Sequence, residues 1–297
     1  MPELPEVETV RSGLSRLLPG LVVKSVDFDW PKSFPNATGD VERFLIGAEV
    51  TEVKRRAKVL LIELSSKYTL VIHLKMTGQL VFRGKSEDFG AGHPSQSLVG
   101  DLPDKSTRVI FTFKDGSKLF FNDQRKFGWV RLMPTVEVMN LDFFQKVGPE
   151  PLAEDFTWQQ FKDRMLRRKN SNVKAVLLDQ TVIAGVGNIY ADESLWGAKI
   201  HPLTLVGQLK DKQFQTLYEE LVFVLKLSIE KGGSTNHTYV NAEGQRGSYM
   251  KFARVFRREG QACSRCGTTI IKTRVAGRGT HLCPKCQKLK PRTGSGF

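Results

Sequence analysis

Four cysteines in two matched pairs constrain this chain more than any other feature. Cys263-Ser-Arg-Cys266 and Cys283-Pro-Lys-Cys286 are separated by sixteen residues and account for every cysteine of the 297-residue chain. Two CxxC knuckles at this separation suit a tetrahedral site in a small ribbon, and four thiolates select zinc. Such a site leaves no open coordination position, so one structural Zn2+ is expected. Two disulfides fit poorly with a cytosolic chain, and a redox CxxC would not explain the second pair.

The charge balance points to a polyanion. The formal net charge is +14, and from residue 246 to the end thirteen Lys or Arg residues stand against the single acid Glu259. A basic surface of this size implies nucleic acid as partner. Acidic membrane is the alternative, but no basic amphipathic helix stands out, and no apolar run approaches the ~20 residues that span a bilayer. The start carries no basic-then-apolar leader, so a cytoplasmic location, at the nucleoid through DNA binding, is expected.

The chain opens Met1-Pro2-Glu3-Leu4-Pro5-Glu6-Val7-Glu8-Thr9-Val10. A small second residue favours removal of Met1, which exposes Pro2 as a secondary amine with a pKa near ~8. Such an amine attacks sugar aldehydes, and the iminium it forms stays cationic and acts as an electron sink. That chemistry needs carboxylates to move protons, and Glu3 and Glu6 are nearest in sequence. The plainer reading is a processing signal followed by acids that favour a helix N-terminus. These ten residues alone leave both open.

Periodicity predicts a helix over 4–19, with Val7, Val10, Leu14 and Leu17 on one stripe and Pro19-Gly20 as its stop. Short β-branched and aromatic runs follow at 22–28, 50–56, 59–64, 70–74, 108–113, 118–122 and 128–132, the pattern of a β-sandwich or barrel. Residues 84–106, rich in Gly, Ser, Pro and Asp, read as a long loop. A short helix and Gly148-Pro149-Glu150-Pro151 form a link, and helices are predicted over 158–168, 173–179, 188–198 and 211–231. The fold class is therefore α+β. Its divisions are an N-terminal helix and β-sandwich domain (2–134), a linker (135–152), a helical domain (153–250), a zinc ribbon (251–291) and a tail (292–297).

Several motifs admit a bland and a chemical reading. Ala184-Gly185-Val186-Gly187-Asn188 is a glycine turn opening a helix, which suits a phosphate but is more often only a cap. Lys54-Arg55-Arg56-Ala57-Lys58 is a basic cluster, usually a solvated face. His73-Leu74-Lys75-Met76 and Arg125-Lys126-Phe127 follow predicted strands, where a Met and a Phe are commonly core. Arg278 lies between two glycines near the ribbon's tip, free to approach a phosphate or simply to be solvated.

Taken together and in order, the opening decapeptide, the glycine turn and the double knuckle resemble the bacterial formamidopyrimidine-DNA glycosylases, which excise oxidised purines. The resemblance covers essentially the whole chain. It implies a helix-two-turn-helix domain between the sandwich and the ribbon, and a monomer that binds double-stranded DNA holding an oxidised base or abasic site across the cleft between its domains. It implies a base-excision-repair enzyme with glycosylase and abasic-site lyase activities. Pro2 would be the nucleophile, Glu3 would handle protons at the sugar, Glu6 would position the site and Lys58 would assist. Met76, Arg125 and Phe127 would fill the gap left by the extruded base. Asn188 and Arg278 would bind DNA phosphates, and His73 is a candidate to touch one. Residues 235–251 would cover the extruded base, although Asn236-His237 and Arg257 depart from the family's usual residues. The related endonuclease VIII enzymes usually carry glycine at the place of Leu4 and lack the Arg125/Phe127 pair. A non-catalytic zinc-ribbon binder would need neither Pro2 nor Glu3.

Overall fold

The computed structural model describes residues 2–234 and 249–289. They group into two compact units, residues 1–146 with 228–250, and residues 147–227 with 251–297. Of the described residues, 228–234 and 249–250 group with the first unit.

Helix α1 (Leu4–Leu17) opens the first unit. Pro5 stands in its first turn, where a missing N–H costs nothing. Val7, Val10 and Leu14 are fully buried along one stripe. Nine strands follow: β1 (Val23–Phe28), β2 (Val50–Arg56), β3 (Val59–Leu64), β4 (Tyr68–His73), β5 (Gly78–Arg83), β6 (Asp88–Gly92), β7 (Thr107–Phe113), β8 (Lys118–Asp123) and β9 (Trp129–Pro134), with the short helices α2 (Thr38–Asp40) and α3 (Asp142–Lys146). They form two antiparallel sheets, ordered β1-β7-β8-β5-β6 and β2-β3-β4-β9. Leu60, Ile62, Ile72 and Val130 of one sheet and Leu80, Phe111 and Phe121 of the other share a single core with the stripe of α1. This is a β-sandwich, as the alternating apolar runs predict.

The segment 84–106 corrects the sequence reading. It is not a structureless loop: it contributes β6 and a 3-10 turn at Gln96–Leu98. Tertiary contacts override its composition. β6 extends the sheet beside β5, with Phe89 opposite Phe82. Phe89 then packs on α1 at Gly13, where an added Cβ would lie 2.1 Å from the ring. Asp104 accepts hydrogen bonds from the Ser97 hydroxyl (2.5 Å) and the Ser106 hydroxyl (2.6 Å). Arg83 donates to the carbonyls of Leu98 and Gly100. Strand β5 is a second departure, since Gly78–Arg83 carries no strand prediction.

The later elements are α4 (Trp158–Leu166), α5 (Val173–Leu178), α6 (Asn188–Gly197), α7 (Asp211–Glu230), α8 (Tyr249–Phe252) and the hairpin β10 (Ile271–Val275) with β11 (Arg278–Leu282). Each falls within a residue or two of its predicted range where one was made. Thr157 caps α4 through the Gln160 N–H, with Gln160 reaching back to Thr157, a reciprocal box. Arg257 has φ +58, a conformation that favours glycine. Among the described residues no helix is long and apolar enough to cross a membrane. Residues 235–248, which include Asn236-His237 and most of the expected covering loop, and the tail 292–297 lie outside the described residues.

Candidate functional site

In the first unit, the start of α1 is built by its own carboxylates. Glu3 is the N-cap, and its backbone N–H donates to Glu6 Oε2 at 2.8 Å. The other Glu6 oxygen accepts the Ser234 N–H, also at 2.8 Å. Glu6 is thereby committed to holding backbone, while Pro2 and Glu3 sit buried beside it. Glu8 anchors the next turn, accepting from Arg55 Nε of β2 and from Arg11 Nε, each at 2.7 Å. The helix is thus fixed to the sandwich at Glu8, six residues from Pro2.

Lys58 lies in the two-residue turn between β2 and β3, where Arg56 pairs with Val59 and Ala57 has φ +54. Lys58 is largely buried. His73 ends β4, paired with Val59 next to that turn. Burial, helped by the charges of Lys75 and Lys58, lowers the His73 pKa to about 3. Its Nδ1 accepts the Lys75 N–H at 3.0 Å, so the neutral ring presents an Nε2–H donor. Burial, with Arg131 nearby, also lowers the Lys75 ammonium.

A consequence for stability follows. The unfolded chain takes up a proton at His73 near pH 6.5, while the folded chain refuses it until about 3. Stability should therefore fall as pH drops through that window, by up to about 1.4 kcal/mol per pH unit from this group. Urea unfolding of the wild type and of His73→Gln between pH 7 and 4 checks it: the variant's stability should decline less steeply.

Met76 lies on the loop between β4 and β5, and Arg125 and Phe127 on the loop between β8 and β9. Both loops cross from one sheet to the other. They run side by side because β4 pairs with β9 and β5 pairs with β8. Phe127 is 56% exposed, and the Arg125 guanidinium lies 5.0 Å from its ring centroid. Neither side chain belongs to the core, against the bland reading for Phe127.

In the second unit, Gln180 shapes the glycine turn: its Oε1 accepts the Gly185 N–H (2.9 Å) and its Nε2 donates to the Val186 carbonyl (2.8 Å). Asn188 then starts α6, and its amide donates to the Gly279 carbonyl on β11 at 2.9 Å. Arg278, exposed, follows the tight turn Ala276-Gly277, both at positive φ. Behind them lies a buried network. Lys174 Nζ donates to Asp192 Oδ1 (2.6 Å) and to Thr280 Oγ1 (2.7 Å), and Asp192 Oδ2 accepts the His281 N–H (2.9 Å). This ties α5 and α6 to the strand that carries Arg278. Lys174 and Asp192 carry no role in the sequence reading, although a lone Lys and an Asp-Glu pair inside apolar helices are the signal for such a network.

The four cysteine sulfurs lie within 4.8 Å of one another, with Cys263 to Cys286 at 4.0 Å and Cys266 to Cys283 at 3.5 Å. A tetrahedron with Zn–S near ~2.3 Å requires S···S distances of about 3.8 Å, so one zinc ion fits. The Trp196 indole N–H points at Cys263 Sγ at 3.4 Å, the kind of supporting donor that a thiolate ligand takes. Burial and the neighbouring sulfurs push the Cys286 thiol up, so a dication is what lets all four be thiolates together.

Three family models match the chain in order: the formamidopyrimidine-DNA glycosylase N-terminal domain over residues 1–130, its H2TH domain over 147–240, and the zinc finger found in FPG and IleRS over 260–289. The formamidopyrimidine-DNA glycosylase of Pediococcus pentosaceus is 41% identical over 98% of this chain and its own full length. The chain belongs to the formamidopyrimidine-DNA glycosylase family. The enzyme of that name from Pelotomaculum thermopropionicum is 42% identical over 98% of this chain and all of its own. Among solved structures, a Lactococcus lactis FPG mutant bound to Fapy-dG containing DNA superposes with a TM-score of 0.85 at 34% identity, covering 97% of this chain and 100% of that one. A Lactococcus lactis Fpg complex with abasic-site DNA gives 0.84 at 33% identity, with the same coverage. The zinc-finger match covers all four cysteines, and family membership makes the chain a DNA repair glycosylase with a structural zinc.

Proposed function

We propose that this chain excises oxidised purines from duplex DNA and cuts the strand at the resulting abasic site, with Pro2 as nucleophile. The observation that carries this reading is the start of α1, where Glu6 grips the Glu3 backbone and leaves the Glu3 carboxyl buried beside Pro2. A carboxyl so placed is suited to move protons at a sugar bound to the proline nitrogen. Pro2, freed of Met1, attacks C1′ of the damaged nucleoside. The proline nitrogen gives up its proton on attack, the base leaves with the bonding electrons of the glycosidic bond and takes up a proton, and Glu3 supplies the proton that opens the sugar ring. The iminium acidifies the C2′ protons. Loss of one of them expels the 3′ phosphate, and a second elimination expels the 5′ phosphate. Glu6 holds the geometry and Lys58, on its turn beside His73, supports it.

DNA contacts are assigned within each unit. In the first, Met76, Arg125 and Phe127 take the place of the extruded base, with His73 as an Nε2–H donor to phosphate. In the second, Arg278 and the remaining Asn188 amide hydrogen bind phosphates. The zinc, held by Cys263, Cys266, Cys283 and Cys286, supplies structure to the ribbon. Recognition by phosphate contacts carries strong salt dependence. The chain works as a monomer at cytoplasmic DNA in this reading.

Borohydride trapping on duplex DNA with one 8-oxoguanine opposite cytosine tests it, with the adduct mapped by mass spectrometry. A covalent adduct on Pro2 is expected. An adduct on a lysine would keep the enzyme class and displace the nucleophile. Trapping only with an oxidised pyrimidine would favour endonuclease VIII specificity, against which Leu4 and the Arg125/Phe127 pair stand.

A further inference from the structure

Two loops carry the three gap-filling side chains, and one buried carboxylate joins them. Asp123 is the last residue of β8 and is 1% exposed. Its Oδ1 accepts the Thr77 hydroxyl, from the Met76 loop, and the Arg125 N–H at 3.2 Å. Its Oδ2 accepts the Gly128 N–H at 2.6 Å, from the far end of the other loop. Thr77 Oγ1 in turn accepts the Arg125 N–H at 3.0 Å. The Thr77 hydroxyl is therefore donor to one loop's anchor and acceptor for the backbone of the residue that would face the orphaned base. Gly128 is required here: an added Cβ would lie 2.6 Å from the Phe121 ring and 3.1 Å from Asp123 Oδ2.

The hub is itself braced by the segment between β5 and β7 and by the start of β7. The Asp123 N–H donates to the Ser106 carbonyl at 2.7 Å, and the Asp123 carbonyl accepts Arg108 Nε at 2.9 Å. The His93 N–H donates to the Gly78 carbonyl at 3.0 Å, one residue beyond Thr77. Asp123 is too buried to meet DNA, and its bonds run to both loops rather than within one.

We infer that Thr77 and Asp123 form a latch that makes the Met76 loop and the Arg125–Phe127 loop one preorganised unit, so that all three side chains enter the duplex together. They are positioning residues for duplex substrates, and this rests on the gap-filling reading given above. An abasic site in single-stranded DNA leaves no orphaned partner to replace, so the latch matters less there. Buried hydrogen bonds that link two loops fix their relative placement without touching substrate.

The test compares Thr77→Val, which keeps the shape and loses both bonds, with Thr77→Ser, which keeps the hydroxyl. Phe127→Ala is run in parallel. Single-turnover excision of 8-oxoguanine opposite cytosine is measured at saturating enzyme, beside borohydride trapping on a single-stranded abasic oligonucleotide. Thr77→Val should lose at least about tenfold more on the duplex than on the single strand, a difference of about 1.4 kcal/mol in the barrier. Thr77→Ser should stay near wild type on both. Equal losses on the two substrates, wild-type duplex excision by Thr77→Val, or an equal defect in Thr77→Ser would overturn the latch. Wild-type duplex excision by Phe127→Ala would instead overturn the gap-filling reading on which it rests.

Discussion

A chain with one residue added ahead of Pro2 is expected to lose borohydride-trapped adduct and strand cleavage together, by at least about a thousandfold, the scale on which removing a covalent nucleophile acts. The extension turns the proline nitrogen into an amide. Its lone pair is then delocalised into the carbonyl, and it can neither attack C1′ nor carry an iminium. The bonds that hold the start of α1 are made by groups other than the proline nitrogen. Glu6 binds the Glu3 N–H and the Ser234 N–H, Glu8 binds Arg55 and Arg11, and Phe89 packs on Gly13. The extended chain should therefore keep its melting temperature and bind abasic duplex within about threefold of wild type, a difference below ~0.7 kcal/mol. Gel-shift titration and trapping on the same duplex measure both halves. Retained trapping would remove Pro2 from the mechanism and direct attention to a lysine. Lost binding would mean that the terminus holds DNA rather than reacting with it.

The parts of this molecule that were legible in the sequence are those whose physics is local. The helix of Val7, Val10 and Leu14, the alternating strands and the two cysteine knuckles are fixed by spacing within a few residues. The segment 84–106 was not legible because its order comes from distant partners. Phe89 needs the gap at Gly13, and the Ser106 carbonyl needs the end of β8. Strand β5 hides for a related reason: it begins at a glycine and follows a motif that draws attention as a site. The candidate site divides in the same way. Pro2 and Glu3 are candidates by residue type, and the cysteines announce their chemistry by residue type and spacing. Thr77 and Asp123 do not, since a threonine and an aspartate at strand ends are ordinary until the sheet pairing of β5 with β8 brings their loops together. Lys174 and Asp192 are eighteen residues apart, but Thr280 and His281 meet them only in the folded unit.

Removal of the metal should cost this protein its grip on DNA rather than its nucleophile. The apolar cluster around the cysteines consists of Val255 and Ile270 with Trp196 contributed by α6, too little to order some thirty residues without a cross-link. Cys283→Ser or chelation is therefore expected to unfold residues 260–289. Three consequences follow from the hydrogen bonding. Arg278 is released from its turn, Asn188 is left without the Gly279 carbonyl, and the buried Lys174–Asp192 pair is deprived of Thr280 and the His281 N–H. DNA affinity at physiological salt should fall by about a hundredfold or more, and the dependence of binding on salt should flatten by nearly one unit of slope for each phosphate that the ribbon no longer neutralises. The Pro2 amine sits in the other unit, on a helix held by Glu6, Glu8 and Phe89, so it should still be trapped on a small aldehyde. Metal content by inductively coupled plasma mass spectrometry, read beside the binding isotherms, links the two effects. A metal-free chain that bound duplex DNA with the wild-type affinity and salt slope would show that the ribbon holds its shape without zinc and that Arg278 does not bind a phosphate.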